Sequence, residues 1–129
     1  MLNMYQEIIM DHYKNPRNRG KIDNSCFSAE LHNSSCGDEI SCSGIIANNT
    51  IDSIYFDGKG CVISQAAASL LSEKVKNNSI DVIMGFDQDD MVALIGISLG
   101  PVRMQCALLA LTALQQAIQL YQKKWGWHS

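Results

Sequence analysis

Between residues 26 and 56 the apolar side chains fall on every second position, and from residue 62 onward on every third or fourth. This change of period constrains the fold most. Successive residues of a strand point to opposite faces, whereas a helix returns to one face every third or fourth residue. In residues 26–32, Phe27, Ala29 and Leu31 share a face against Ser28, Glu30 and His32. In 39–47, Ile40, Cys42 and Ile46 share one, and after the turn-forming run Ala47, Asn48, Asn49, Thr50 the segment 51–56 is rich in β-formers. Three such strands predict an antiparallel meander whose single apolar face must be covered.

The flanking segments supply the cover. Residues 3–13 carry Met4 with Ile8, and Tyr5 with Ile9 and His12, at helical spacing, and Pro16 disfavours helix at Asn15. Residues 61–78 read as a helix with Ile63, Ala67, Leu70 and Leu71 as its stripe, and 79–98 as one or two short helices broken near 86–90. Pro101 suits a first helical position. A long helix is expected over 102–123, with Leu111, Leu114, Ile118 and Tyr121 inward and Gln115, Gln116, Gln119 and Gln122 in water. Strands first and helices after give an α+β layer fold: a three-stranded antiparallel sheet covered by helices, with an N-terminal helix and a long C-terminal helix. At 129 residues this reads as one domain, residues 1–129, without repeats or linkers.

A net charge of −3 gives no overall basic signal for nucleic acid. The local cluster Lys14, Arg17, Arg19 and Lys21 reads as a solvated face or a dock for an acidic partner. No run approaches the roughly 20 apolar residues a membrane helix needs. The N-terminus meets acids at Glu7 and Asp11 and lacks a secretory pattern, so a cytoplasmic location is expected. In that compartment five cysteines, an odd number, are not a disulfide framework. Metal, sulfur chemistry and plain burial remain.

Three of them fall at element ends. Cys36 lies in a loop next to Gly37 and Asp38, Cys61 between the third strand and the following helix, and Cys106 in the first turns of the last helix. Helix N-termini favour thiolate, the form that binds metal or attacks sulfur. A carboxylate and a thiol on either side of one glycine make sense if both face one cation, with Gly37 turning the chain between them. Such a Cys3Asp set suits tetrahedral zinc, and iron in a labile cluster equally well. Cys42 sits on an apolar strand face and reads as core. Cys26 falls on the polar phase and reads as an exposed thiol. His12 reads as a helix-end imidazole orienting the following turn.

The segments DHYKNPRNRG (11–20), SSCGDEI (34–40), FDGKGCVISQAAASLL (56–71) and PVRMQCALLAL (101–111) resemble, in order, motifs of the IscU-type iron–sulfur cluster assembly scaffolds. That family includes the N-terminal domain of NifU proteins and the related SufU proteins. The resemblance implies an IscU/SufE-like scaffold that assembles a transient [2Fe–2S] cluster from iron and from persulfide sulfur brought by a cysteine desulfurase. The cluster would then pass to apo iron–sulfur proteins such as a ferredoxin. An Hsp70-type chaperone and an iron donor are further implied partners. Position by position, Cys36, Asp38, Cys61 and Cys106 match the family's ligands for the cluster, or for Zn(2+) in protein as isolated. Cys106 matches the persulfide acceptor, and the aspartate is associated with keeping the cluster labile. The alternative is a zinc-dependent sulfur acceptor of the SufU type.

Two positions depart from the pattern. Isc scaffolds have histidine and SufU proteins usually lysine directly before the third cysteine, where this chain has Gln105, an amide that cannot titrate. Where Isc scaffolds present LPPVK to their chaperone, this chain has LGPVR at 99–103.

Overall fold

The computed structural model describes residues 3–33 and 37–126. The period change at residue 60 becomes a change of element. Strands β1 (Phe27–Asn33), β2 (Asp38–Ala47) and β3 (Thr50–Lys59) form one antiparallel sheet in the order β1-β2-β3. Its helices are α1 (Met4–Lys14), α2 (Val62–Val75), α3 (Ile80–Met84), α4 (Gln88–Ile95) and α5 (Pro101–Tyr121), with a π-helical turn at Gln122–Gly126. This is the α+β layer arrangement expected from the sequence. Among the described residues no helix is long and apolar enough to cross a membrane.

Register follows the hydrophobic phase. Ala29 faces Cys42 and Leu31 faces Ile40, while Cys42 faces Phe56 on the other side. Asn48 and Asn49 turn β2 into β3 with φ of 55° and 62°, the left-handed pair of a two-residue hairpin that asparagine tolerates well. Helices α2 and α5 pack on the apolar face and on each other, and α1 packs on α2. Ala66, Ala67, Ala113 and Ala117 are almost fully buried; side chains this small let helices and sheet approach closely.

Helix α1 forms where its spacing predicts; Ile9 and His12 are buried and Met4, Tyr5 and Ile8 exposed, because one helix face suffices to meet α2. Two expectations change. Gln115 does not face water: it is half-buried, and its Nε2 donates to Ile83 O at 3.1 Å and Phe86 O at 2.9 Å. It thereby adds a second donor to Ile83 O, which also accepts the Phe86 N–H at 3.1 Å, and serves Phe86 O two residues past the end of α3. Cys26 is half-buried rather than exposed. Its Sγ accepts the Ile46 N–H at 3.0 Å, two residues past the last β1–β2 pair, Phe27 with Gly44, so the thiol serves a backbone group that the β1–β2 ladder stops short of.

The turn after α1 does more than reverse the chain. Asn18 O accepts the Phe56 N–H at 3.0 Å and Gly20 N–H donates to Phe56 O at 2.9 Å. Residues 18–20 therefore cover part of the outer edge of β3, which blunts an otherwise open edge.

Candidate metal centre

Asp38 opens β2 on the same phase as Ile40 and Cys42, so its carboxylate follows the strand's apolar side chains inward and is 1% exposed. Gly37 precedes it at φ 71° and donates its N–H to Asn33 O at 2.8 Å. The left-handed conformation expected of a glycine there is present.

Cys61 is the N-cap of α2. Its φ/ψ of −70°/169° is extended, and its Sγ accepts the Ser64 N–H at 3.4 Å. Serine, threonine, aspartate and asparagine usually perform this role; here a sulfur occupies the helix's positive end. Ser64 Oγ donates to Cys61 O at 3.1 Å. Asp38 Oδ1 accepts the Cys61 N–H at 3.0 Å, and Asp38 Oδ2 stands 3.6 Å from Cys61 Sγ. Cys61 is exposed, while Cys106 is 3% exposed. Cys106 lies beyond the first turn of α5, which Gly100 caps and Pro101 opens, so a helix-end environment applies to Cys61 and not to Cys106.

One donor atom each from Asp38, Cys61 and Cys106 lies within 4.8 Å of the others. Three separate elements thus deliver a carboxylate oxygen and two sulfurs to one point. Ligands of a shared ion at metal–sulfur distances near 2.3 Å and metal–oxygen distances near 2.1 Å stand about 3.5–4 Å apart. The group therefore fits one metal, or one edge of a small cluster, with little movement. Cys36, the remaining sequence candidate, lies outside the described residues. Gln105, next to Cys106, is exposed.

The other sequence candidates have different roles. Cys42 is core, and burial pushes its thiol up to about 12. His12 is buried between α1 and α2, with Nδ1 2.7 Å from Ser69 Oγ. The same Oγ accepts the Arg17 N–H at 2.9 Å, so the imidazole orients the turn as expected. Burial is the main cause of a lowered His12 pKa, with the Arg17 charge adding to it and Glu73 and Asp11 opposing. Arg17 pairs with Asp11 at 2.6 Å, and Arg19 donates to Gly58 O at 2.7 Å and to Gln65 Oε1 at 3.1 Å. Half of the basic cluster is thereby committed within the chain. Ser64 and Gly60 were not singled out from sequence, although a glycine directly before a helix N-cap was the available signal.

A profile of the NifU-like N-terminal domain matches residues 4–127. The zinc-dependent sulfurtransferase SufU of Bacillus subtilis is 33% identical over 132 residues, spanning 89% of this chain and 89% of that protein. The iron–sulfur cluster assembly scaffold protein IscU 1 of Archaeoglobus fulgidus is 32% identical over 123 residues, spanning 95% of this chain and 80% of that protein. A crystal structure of a SufU from Fervidobacterium islandicum, described as an iron–sulfur cluster assembly scaffold for the SUF system, superposes with a TM-score of 0.75 at 28% identity. That superposition covers 87% of this chain and 94% of that one.

Proposed function

The chain belongs to the family of NifU-like N-terminal domains, and on that premise we propose that it is a scaffold on which a [2Fe–2S] cluster is assembled and then handed to apo-proteins. The observation that carries this reading is the convergence of Asp38, Cys61 and Cys106 within 4.8 Å. Cys36, one residue before Gly37 in the sequence, is the fourth ligand.

The cluster is cargo, and the donor set suits cargo. Thiolates are the usual ligands of iron–sulfur units. A carboxylate oxygen in place of a fourth thiolate is a harder, less well matched donor, which favours release. Sulfur comes from a cysteine desulfurase as persulfide. The Cys106 thiolate attacks the terminal sulfur and the desulfurase thiolate leaves. Cys106 is buried and lies in the same group as the exposed Cys61. The recipients are apo iron–sulfur proteins such as a ferredoxin, and the setting is the cytoplasm.

Anaerobic reconstitution with iron, cysteine, a desulfurase and a thiol reductant, which supplies the electrons that turn persulfide sulfur into sulfide, tests this reading, followed by visible absorption and circular dichroism and then by addition of an apo-ferredoxin. A cluster that forms and moves to the ferredoxin is the expected result. A chain that never develops cluster absorption under conditions that load a known scaffold rejects the proposal.

A second reading has support in the 33% identity to a relative named a zinc-dependent sulfurtransferase. Here Zn(2+) would be held by the same donors, a set that fits tetrahedral zinc, and Cys106 would accept sulfur with no cluster built. In that case Cys106→Ser abolishes stimulation of the desulfurase while zinc content falls only in part. Full stimulation by that variant discards the second reading.

A further inference from the structure

We propose that Gly60 is a positioning residue for the metal ligand Asp38: the missing side chain at 60 is the space in which the Asp38 carboxylate and the Ser64 hydroxyl lie. This inference rests on the metal-site reading above and extends it to a residue that holds no metal itself.

Other glycines of the chain are required by the fold. A methyl at Gly44 would run into the Ser53 carbonyl of the neighbouring strand and lie 2.5 Å from the Phe27 ring. One at Gly58 would run into the Glu39 carbonyl, and its φ is 138°. One at Gly96, φ 84°, would enter the Tyr5 ring. Backbone conformation or backbone contact fixes the first two positions, and conformation fixes the third.

Gly60 differs in kind. Its φ is not in the left-handed region, and the nearest atoms its methyl would meet all belong to two side chains. The methyl would overlap Asp38 Oδ1, and it would lie 2.7 Å from Asp38 Cγ and 2.6 Å from Ser64 Oγ. Both groups end short side chains that can rotate without moving the backbone. Alanine at 60 therefore asks for movement of side chains rather than of the backbone, and it is incompatible with the present position of the carboxylate.

The two displaced groups form the collar of Cys61. Asp38 Oδ1 holds the Cys61 N–H and Ser64 Oγ holds the Cys61 carbonyl. Asp38 and Ser64 are 1% and 2% exposed, so a rotated carboxylate gives up the Cys61 N–H as well as its place in the ligand group. Gly60 acts on the oxygen donor through Asp38, and the Ser64 hydroxyl, which it also makes room for, holds the Cys61 carbonyl and is not in the ligand group.

Titration of metal-free protein with Co(II) decides the matter. Near-ultraviolet thiolate-to-cobalt absorption counts the sulfurs, and visible d–d bands report the oxygen donor and the geometry. Wild type, Asp38→Ala, Gly60→Ala and the double variant are compared. Gly60→Ala is expected to keep the thiolate absorption, to reproduce the d–d spectrum of Asp38→Ala, and to bind Co(II) roughly 10- to 100-fold more weakly than wild type, the usual range for loss of a ligand's support. The double variant should match Asp38→Ala in its d–d spectrum, because the carboxylate is already gone and the Ser64 hydroxyl, the other group displaced, is not a ligand.

A Gly60→Ala protein with the wild-type d–d spectrum and affinity overturns this inference and leaves the metal-site reading intact. A wild type that shows no thiolate-to-cobalt band overturns that reading and this inference together. If Gly60→Ala does not fold, Asp38→Ala/Gly60→Ala and Ser64→Ala/Gly60→Ala separate the two collisions. Recovery of folding in the first supports a collision with the carboxylate, and recovery in the second alone overturns it.

Discussion

The Asp38 carboxylate accepts the Cys61 backbone N–H at 3.0 Å through one oxygen and presents the other 3.6 Å from the Cys61 sulfur. One side chain therefore ties the first residue of β2 to the start of α2 and completes the donor group. In Asp38→Ala both ties go. With a scaffold's cargo bound, loss of the hard oxygen donor should slow cluster release, so the cluster persists longer and transfers more slowly to apo-ferredoxin. The decay of visible absorption after adding the acceptor measures this. An unchanged or shorter lifetime counts against a labilising role for Asp38.

Gln115 is a polar residue that the fold uses as a clamp. Gln115→Ala removes two hydrogen bonds to the Ile83 and Phe86 carbonyls, each worth about 1 kcal/mol, and leaves those groups less well satisfied. Chemical denaturation should show a loss of about 1–3 kcal/mol. Gln116→Ala, on the exposed face one residue on, should stay within about 0.5 kcal/mol. Equal effects at the two positions would remove the clamp from the account.

Cysteine alkylation should separate the thiols by environment. Burial pushes Cys42 up to about 12, against a small opposing effect of a hydrogen bond with the Ala29 backbone, so it holds almost no thiolate at pH 8 and is inaccessible besides. Cys61 is exposed. Brief iodoacetamide treatment of native metal-free protein, read by peptide mass spectrometry, should modify Cys61 and spare Cys42. The same raised value makes a stability prediction. The folded state favours the neutral thiol, so this contribution is complete below the unfolded pKa of about 8.5 and is lost as pH climbs toward 12.

His12 has the opposite sign. Its pKa is lowered from 6.5, chiefly by burial and then by Arg17, with Glu73 and Asp11 pulling the other way. The unfolded chain therefore takes up the proton first, and stability present above pH 6.5 is lost as pH falls below it. The melting temperature of metal-free protein should drop between pH 7 and pH 5.5. His12→Gln should flatten that part of the profile; an equally steep profile in the variant would assign the drop to other groups.

Much of the architecture was legible because burial period and backbone period coincide. Phe27, Ala29 and Leu31 on β1, and Ile40, Cys42 and Ile46 on β2, announced strands and their inward faces together, and Pro16 and Pro101 marked helix boundaries that the structure places within two residues. The candidate ligands Cys61 and Cys106 were legible by chemistry and by the family's motifs, and Asp38 by its place beside Gly37. Sequence period could not reveal that Cys26 and Gln115 serve backbone groups, because those partners arise from the point where the β1–β2 ladder ends in one case and from the end of a distant helix in the other. Gly60 was illegible for a related reason: its role is a volume shared with Asp38 and Ser64, and no local pattern encodes an unfilled space.

Asp38 stands on the core-facing phase of β2, opposite Asn33 and two residues before Ile40, which faces Leu31. A slip of one residue in this ladder would turn the apolar set outward, and it would carry the carboxylate to the wrong side of the sheet. The meeting of Asp38 with Cys61 and Cys106 is thus conditional on correct strand alignment. Metal uptake at this point would therefore report a sheet assembled in register.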